Sequence, residues 1–492
     1  MMKHILPLLL VFTALLRIPA SAESKQPNVI LLLTDDQGYG DLERHGHPLL
    51  KTPHMNRLFD ESVRFDNFYV SPSCSPTRAA LLTGMHEFRN GVTHTIPPRE
   101  HLHQDAVTLP QLFKEAGYRT ALVGKWHLGG TDKGYDPTDR GFDLWANNFP
   151  GGAFDATVVH NGKRVRENAG TYREDIFFDE AMRFIDESRN KPFFCHLATI
   201  SPHTPLGAPE EFIAPFRGKV SDKHATYLGM VANLDYNVGR LLKFLEERGL
   251  EKDTILIFLN DNGATEGLDV YNAGMRGCKC TIWEGGSRAL CFWRWPGHWT
   301  PHKVDNLAAH LDVLPTLCDL AGIGIPEKVR AGLDGFSLRP LLESTMPMAW
   351  HDDRMLFQHV ARWANGTAAA HKHAECAARQ GNYLLVRSHP CKDPACFLRN
   401  GQCASLNQTA HGATAHTYTE SNAQFHWGLS APDRWSLFEV KKDPSCEHDL
   451  ASSQPERVAA MAAAYDHWWD AMFPLMISRG GDRGEPNDPN GK

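Results

Sequence analysis

Side chains able to do chemistry recur where apolar runs end. "NVILLLTDD" closes on Asp35 and Asp36, "ALVGKWH" on Lys125 and His127, "HLATISPH" on His203, and "TILIFLNDNG" on Asp261 and Asn262. The stretch "SPSCSPTRAALLTG" sets Cys74 between Pro72 and Pro76, with Arg78 four residues on. Asp35, Asp36, Asp261 and Asn262 offer only oxygens, which suits calcium, or less well magnesium, and not zinc. Three carboxylates on one divalent ion leave a negative shell, so an anionic substrate needs further positive charge. Arg78, Lys125 and Lys279, the last in "MRGCKCTIWEGGSR", would supply it. Each residue alone has an ordinary explanation: an Asp pair caps a turn, "DNG" is a turn signal, and a lysine is solvated. Their recurrence at strand ends is what carries weight.

Cys74 admits several readings: half of a disulfide, a thiol nucleophile with His127 or His203 as base, a metal ligand, or the precursor of another group. A thiolate is a poor partner for a hard cation. Pro76 fits the first turn of a helix running through "TRAALLTG". Cys74 then sits at a helix N-terminus, where negative charge is favoured.

These residues need a scaffold that gathers strand ends. Asn28 to Leu33 is an unbroken apolar run, which reads as a buried strand of a parallel sheet. "RTALVGKWH", "PFFCHLATISPH" and "DTILIFLNDNG" read the same way. Between them, "TLPQLFKEAGY", "ATYLGMVANLDYNVGRLLKFLEERGL" and "NLAAHLDVLPTLCDLAG" carry helical spacing. The alternation predicts an α/β fold, with a mixed, mostly parallel sheet sandwiched by helices. In such sheets the ligand crevice lies outside the strands' carboxyl ends. Beyond residue 345, "RMLFQHV", "NYLLVRS" and "WSLFEVKKDP" predict a smaller antiparallel sheet, packed by the amphipathic "QPERVAAMAAAYDHWWDAM". The expected organisation is a leader over 1–22, a catalytic domain over 23–345, a C-terminal α+β subdomain over 346–478 and a disordered tail over 479–492.

Composition narrows the class. A chain of 492 residues suits one large domain and a smaller one, and 42% hydrophobic with 22% charged residues is globular. A net charge of -7 leaves no basic footprint and argues against nucleic acid as partner. Lys3, the apolar Ile5 to Leu16 and Ala20-Ser21-Ala22 form a secretory signal pattern cut before Glu23. No later segment is apolar enough to span a bilayer. The expected location is outside the cytoplasm: periplasmic, secreted or lysosomal according to host. Eleven cysteines permit disulfides in that setting. Cys391, Cys396 and Cys403, with Cys376 upstream, predict at least one bridge. The spacing of Cys278 and Cys280 is poor for zinc. Asn365 and Asn407 are glycosylation acceptors only in a eukaryotic host.

"CSPTRAALLTG" closely resembles the signature of the type I, formylglycine-dependent sulfatases of the alkaline-phosphatase-like superfamily, in which Cys-x-Pro-x-Arg marks the modified cysteine. The commonest version has Ser where Thr77 stands. The resemblance continues through "LLTDDQGYGD", "GYRTALVGKWHLG", "SPHTP", "LNDNG", "RGCKCTIWEGGSR" and "LFEVKKDPSCEHDLA", and spans most of residues 28 to 470. It implies that a formylglycine-generating enzyme converts Cys74, whose hydrated aldehyde supplies the nucleophile. It implies calcium held by Asp35, Asp36, Asp261, Asn262 and the modified Cys74. Arg78 would hold the diol, Lys125 and Lys279 would grip sulfate oxygens, His203 would protonate the leaving alcohol, and His127 would take a proton to expel sulfate. Cys278 and Cys280 flank Lys279 where many relatives have glycines.

The resulting expectation is an exported sulfatase acting on sulfated carbohydrate. The C-terminal region offers His351, Arg354, His359, Arg362, Trp363, His371 and His373 for the sugar, against the plainer reading of a histidine-rich surface. Arg362, His371 and His373 are the substrate-binding candidates there. The signature is shared with some phosphonate and phosphodiester hydrolases. A chain whose Cys74 is never converted would only bind sulfated glycan. Oligomeric state is not legible in the sequence.

Overall fold

The alternation of buried strands and amphipathic helices resolves into one large sheet with a small one beside it. The structure, a computed structural model, describes residues 26–148, 151–363, 365–388 and 434–482. The leader, Cys391, Cys396, Cys403, Asn407 and the end of the tail lie outside the described residues.

In chain order the large sheet contains β1 (Asn28–Asp35), β2 (Val63–Phe65), and, after the two-residue β3 (Phe68–Tyr69), β4 (Arg119–Gly124) and β5 (Leu144–Asn147). It continues with β6 (Asp155–His160), β7 (Lys163–Ala169), β8 (Phe193–Pro202), β9 (Thr254–Asn260), β10 (Cys291–Arg294) and β11 (Lys303–Val304). Its ten strands run β11-β2-β10-β9-β1-β8-β4-β5-β6-β7. The centre, β9-β1-β8-β4-β5, is parallel, while β10 and the β6–β7 hairpin are antiparallel.

Every residue of β1 and β9 is buried, as unbroken apolar runs require when helices cover both faces. The pleat sorts β1: Val29, Leu31 and Leu33 pack with residues of the helices Cys74–Thr83, Leu109–Glu115 and Val313–Leu320. Ile30 and Leu32 pack with residues of Arg173–Glu187 and Asp222–Glu247 on the other face.

One helix starts later than its periodicity suggests. Ala308–Ala309 forms β12, paired with β3, and the chain turns through His310–Asp312 before the helix begins at Val313. The Asp312 carboxylate accepts the Ala309 N–H at 2.7 Å, which sets the turn.

The small sheet is β13 (Met355–His359), β14 (Cys376–Gln380), β15 (Tyr383–Arg387) and β16 (Ser436–Glu439), antiparallel in that order. One face, with Cys376, Ala378, Leu385 and Leu437, meets the helix Pro455–Ser478 and Phe88. The other, with Ala377, Leu384, Val386 and Phe438, packs on Cys278, Cys280, Ile282 and Trp283. The small sheet therefore shares cores with the larger region.

Two expectations change. Cys376, expected near a bridge, is a free thiol buried on the helix face of the small sheet; no second cysteine belongs to that packed cluster among the described residues. Cys74, Cys195, Cys291, Cys318 and Cys446 are likewise buried free thiols. The tail expected to be disordered from residue 479 is packed through Asp482: Thr93 Oγ1 donates to the Gly481 carbonyl at 2.5 Å, and the Asp482 carboxylate accepts from Gly366 N–H at 3.0 Å. Among the described residues, no helix is long and apolar enough to cross a membrane.

Candidate active site

Strand register brings the chemistry together. β1 and β9 pair Leu33 with Leu259 and Thr34 with Asn260, so the Asp35-Asp36 and Asp261-Asn262 steps leave the sheet side by side. The Asp261 N–H donates to the Thr34 carbonyl at 3.0 Å, and the Asp36 N–H donates to Asp261 Oδ1 at 3.2 Å. On the other side of β1, Asp35 is level with Pro202, just before His203. Lys125 follows β4, its N–H bonded to the Ala198 carbonyl of β8 at 2.8 Å.

Cys74 is the first residue of the helix Cys74–Thr83, which is buried along its whole length. Gly84, at φ 66°, ends it with a 2.8 Å bond from its N–H to the Ala80 carbonyl. Ligand-capable atoms of Asp35, Cys74 and Asp261 lie within 4.8 Å of one another, as do those of Asp35, Asp36 and His203.

The charges interlock. Lys125 Nζ is 2.5 Å from Asp35 Oδ2, and Lys279 Nζ is 2.6 Å from Asp36 Oδ1. Arg78 donates to Asp261 Oδ2 from Nη2 at 2.8 Å and to the Lys125 carbonyl at 3.2 Å. Asn262 Nδ2 donates to Asp36 Oδ1 at 2.7 Å, and Thr265 Oγ1 to Asp36 Oδ2 at 3.4 Å. His203 Nε2 stands 3.8 Å from Asp36 Oδ2, while its Nδ1 is 2.5 Å from the Thr204 carbonyl.

Burial pushes the Asp35 carboxyl up, but Lys125, His203 and Arg78 outweigh it and hold it well below the carboxylate range. Burial acts likewise on Asp36, where Lys279 and His203 prevail and hold it low. Asp261 goes the other way: burial and the Asp35 charge push it up despite Arg78. Three cations, Arg78, Lys125 and Lys279, thus face the three carboxyls, of which Asp261 is the one pushed towards its neutral form.

Asp35 Oδ1 and Asn262 Oδ1 are buried and accept no hydrogen bond among the described residues. Oxygens withdrawn from water without a donor are the expected inner lining of a cation site. The all-oxygen donor set fits calcium. Burial also pushes the Cys74 thiol up, yet Lys125, Lys279 and His127 together hold it well below its ordinary value. Position 74 therefore favours an anion.

Two non-glycine residues at the site have left-handed backbones, Asp36 at φ 62° and His127 at φ 60°. Each conformation costs about 1–3 kcal/mol and persists where its surroundings enforce it. His127 Nε2 lies 3.1 Å from the Thr95 carbonyl and 3.2 Å from Glu100 Oε2, and the ring stands beside Cys74.

Lys279 rides on a loop that needs its glycines. A Cβ on Gly263 would meet the Gly285 carbonyl at 1.7 Å, and one on Gly285 the Gly277 carbonyl at 2.2 Å. Cys280, at φ 63°, donates its N–H to the Pro72 carbonyl at 2.6 Å, tying the loop to the segment before Cys74. The Cys278 and Cys280 side chains pack with Leu268, Trp283, Phe438 and Cys446.

Sequence reasoning missed the brace beneath this loop. Arg379 of β14 and Glu284 form an ion pair, both fully buried. Tyr69 donates to Glu284 at 3.0 Å, and Arg379 donates to Gln358 at 2.9 Å. The one prior signal was an acid in "WEGG" with no assigned partner. Thr95, Glu100 and Thr265 were missed as well.

The C-terminal candidates divide. Arg362 is buried, and its Nη2 donates to Thr95 Oγ1 at 3.1 Å, which puts it beside the His127 side of the site. His371 is buried with Nδ1 2.9 Å from the Thr367 carbonyl, and its own carbonyl is 2.8 Å from His359 Nε2. Trp363 packs in the same core. His373 pairs with Asp466 of the last helix at 2.6 Å. Arg354 pairs with Asp312 at 2.7 Å, and His351 stacks on Phe336 at 3.8 Å between centroids. Apart from Arg362, the structure does not bring these side chains to the carboxylates, lysines and Cys74.

Comparison with known proteins gives a consistent picture. The family described as Sulfatase matches residues 27–323. N-acetylgalactosamine-6-sulfatase of Mus musculus is 35% identical over 477 residues, covering 87% of this chain and 85% of the relative. Arylsulfatase J of Mus musculus is 32% identical, covering 95% and 79%. A solved structure of Ps i-CgsB in complex with k-i-k-neocarrahexaose superposes with a TM-score of 0.72 at 25% identity, covering 93% of this chain and 100% of that one.

Proposed function

The chain belongs to the sulfatase family and is a sulfuric ester hydrolase; from that premise we propose that it cleaves sulfate monoesters of carbohydrates, with formylglycine at position 74 and a calcium ion. The observation that carries this reading is the convergence of Asp35, Asp36, Asp261 and Asn262 with Cys74, Arg78, Lys125 and Lys279 at one sheet edge. The names of the relatives support the carbohydrate part: one is an N-acetylgalactosamine-6-sulfatase, and the Ps i-CgsB structure holds k-i-k-neocarrahexaose.

Asp35, Asp36, Asp261 and Asn262 would hold the calcium, which supplies Lewis-acid charge to a sulfate oxygen and to the ionised nucleophile. As formylglycine, position 74 would supply a hydrated aldehyde, one hydroxyl attacking sulfur and the other losing its proton to expel sulfate. The chain's own residues do the rest. Arg78, tied to Asp261 and to the Lys125 carbonyl, keeps its guanidinium beside position 74. Lys125 and Lys279 aim positive charge at the sulfate oxygens, where it is worth most in a buried pocket. Burial lowers the His203 pKa against the pull of Asp36 and Asp35. A bound sulfate adds negative charge beside the ring and favours the imidazolium that donates to the leaving alcohol. His127 receives the proton in the second step.

The test is sulfate release from sulfated mono- and oligosaccharides, with aryl sulfate and aryl phosphate esters assayed in parallel. Sulfate release at rates well above phosphate release is expected. Preferential hydrolysis of phosphodiesters or phosphonates would overturn the reading, and binding without turnover would leave a glycan-binding protein. We further propose export by the leader over residues 1–22, which predicts a mature chain beginning at Glu23.

A further inference from the structure

His127 has only one nitrogen left for chemistry. Its Nε2 faces two acceptors, the Thr95 carbonyl at 3.1 Å and Glu100 Oε2 at 3.2 Å. A nitrogen with two acceptors and no donor in front of it carries the proton. Nδ1 is buried and has no hydrogen-bond partner among the described residues. The ring itself stands beside Cys74.

The loop that brings Thr95 and Glu100 to the ring is held from a distance. Arg99 donates to the Thr93 hydroxyl at 2.9 Å, to the Trp363 carbonyl at 2.7 Å and to the Ala361 carbonyl at 2.6 Å. Its own carbonyl accepts from the Thr93 N–H at 3.0 Å and the His94 N–H at 3.2 Å. The segment just past β13 thus anchors the turn on which Glu100 follows Arg99.

We propose that Glu100, together with the Thr95 carbonyl, is a positioning residue that fixes the His127 proton on Nε2 and leaves Nδ1 as the base for position 74. The inference rests on the proposed formylglycine reaction and concerns only its second step. There, the proton of the remaining hydroxyl passes to Nδ1. The O–H electron pair forms the carbonyl, and the carbon–oxygen bond to sulfate breaks with its pair leaving on sulfate. The proton then passes from Nδ1 to solvent before the next hydration. The first step, cleavage of the substrate's sulfur–oxygen bond, does not use His127.

A residue that serves only the second step has a signature that a structural residue lacks. With an aryl sulfate, Glu100→Ala should lower kcat about 10- to 100-fold, the range seen when the partner orienting a functional histidine is lost. KM should fall with it, so that kcat/KM stays within about twofold. Residue 74 should then accumulate a sulfated form, about 80 Da heavier than the hydrated aldehyde and about 98 Da heavier than the free aldehyde in its tryptic peptide, and phenol release should show a burst. Glu100→Gln, which keeps an acceptor, should show the same signs more weakly and serves if the Ala variant does not fold. Unchanged kcat, or kcat and kcat/KM falling together with no adduct, would overturn the inference. His127→Ala separates the two levels. An adduct there but not in Glu100→Ala sinks the role of Glu100 alone; no adduct in either sinks the two-step reading itself.

Discussion

The two walls of the site are built by different means. On one wall, Asp35, Asp36, Asp261, Asn262 and Lys125 leave the parallel strands β1, β9 and, across β8, β4, whose register places them level. On the other, Lys279 and the partners of His127 sit on irregular loops that the main sheet does not position. Those loops are held from outside: the Arg379–Glu284 pair braces the Lys279 loop, and Arg99 hangs the 93–100 turn from the backbone of Ala361 and Trp363. The first wall is precise because hydrogen-bonded strands are. The second depends on buried cations contributed by, or tied to, the small C-terminal sheet. That sheet is a structural part of the proposed catalytic centre.

Removing the proposed calcium should cost the most. A chelator should lower activity about 10³-fold or more, since a Lewis acid is worth several kcal/mol in the transition state. Calcium should restore it and zinc should not; full activity after exhaustive chelation would dismantle the first wall as a metal site. Next come the groups meant to touch sulfate. Lys279→Ala and His203→Ala should each reduce kcat by about 10²- to 10³-fold when assayed below their melting range; Lys279→Ala should also lower the thermal midpoint, since it leaves Asp36 buried without its paired lysine. Normal turnover in either variant removes that residue from the scheme.

The brace should show a mixed effect. Arg379→Ala leaves Glu284 buried without its partner, a loss of about 3–5 kcal/mol of stability. Below the melting range, its remaining activity should still be lower than that of the parent, because the Lys279 loop is released. An Arg379→Ala enzyme that is destabilised yet turns over at the parent's rate would make the second wall self-supporting.

The smallest effect belongs to the periphery. His373 forms a partly exposed pair with Asp466, the kind of contact worth about 0–1 kcal/mol. His373→Ala should leave kcat/KM within about twofold on any sulfated sugar. A large rise in KM would return that histidine to the substrate site.

The first wall was legible in the sequence for a physical reason. A buried parallel strand announces itself as an apolar run, and whatever polar residue ends it must lie at the crevice. Asp35, Lys125, His203 and Asp261 could thus be gathered without knowing strand order. The Cys74 helix was legible from Pro76 and the run to Gly84. Thr95, Glu100, Glu284 and Arg379 were not, because their pairing comes from contacts between segments distant in the chain and from loops with no periodicity. The histidines after residue 350 misled for a related reason. Composition shows that polar rings are present but not which way they face, and His359 and His371 face a core with Trp363 and Trp469. Cys376 likewise had cysteines downstream in the sequence, but among the described residues its packed cluster holds no second one.

The central claim is that an oxygen nucleophile, formed after translation at position 74, works beside the carboxylates of the first wall. Mass spectrometry of the tryptic peptide containing residue 74, from a preparation whose specific activity is known, tests it most directly. The account predicts a peptide about 18 Da lighter than the cysteine form, in proportion to activity. A fully active enzyme carrying an intact Cys74 thiol would contradict it.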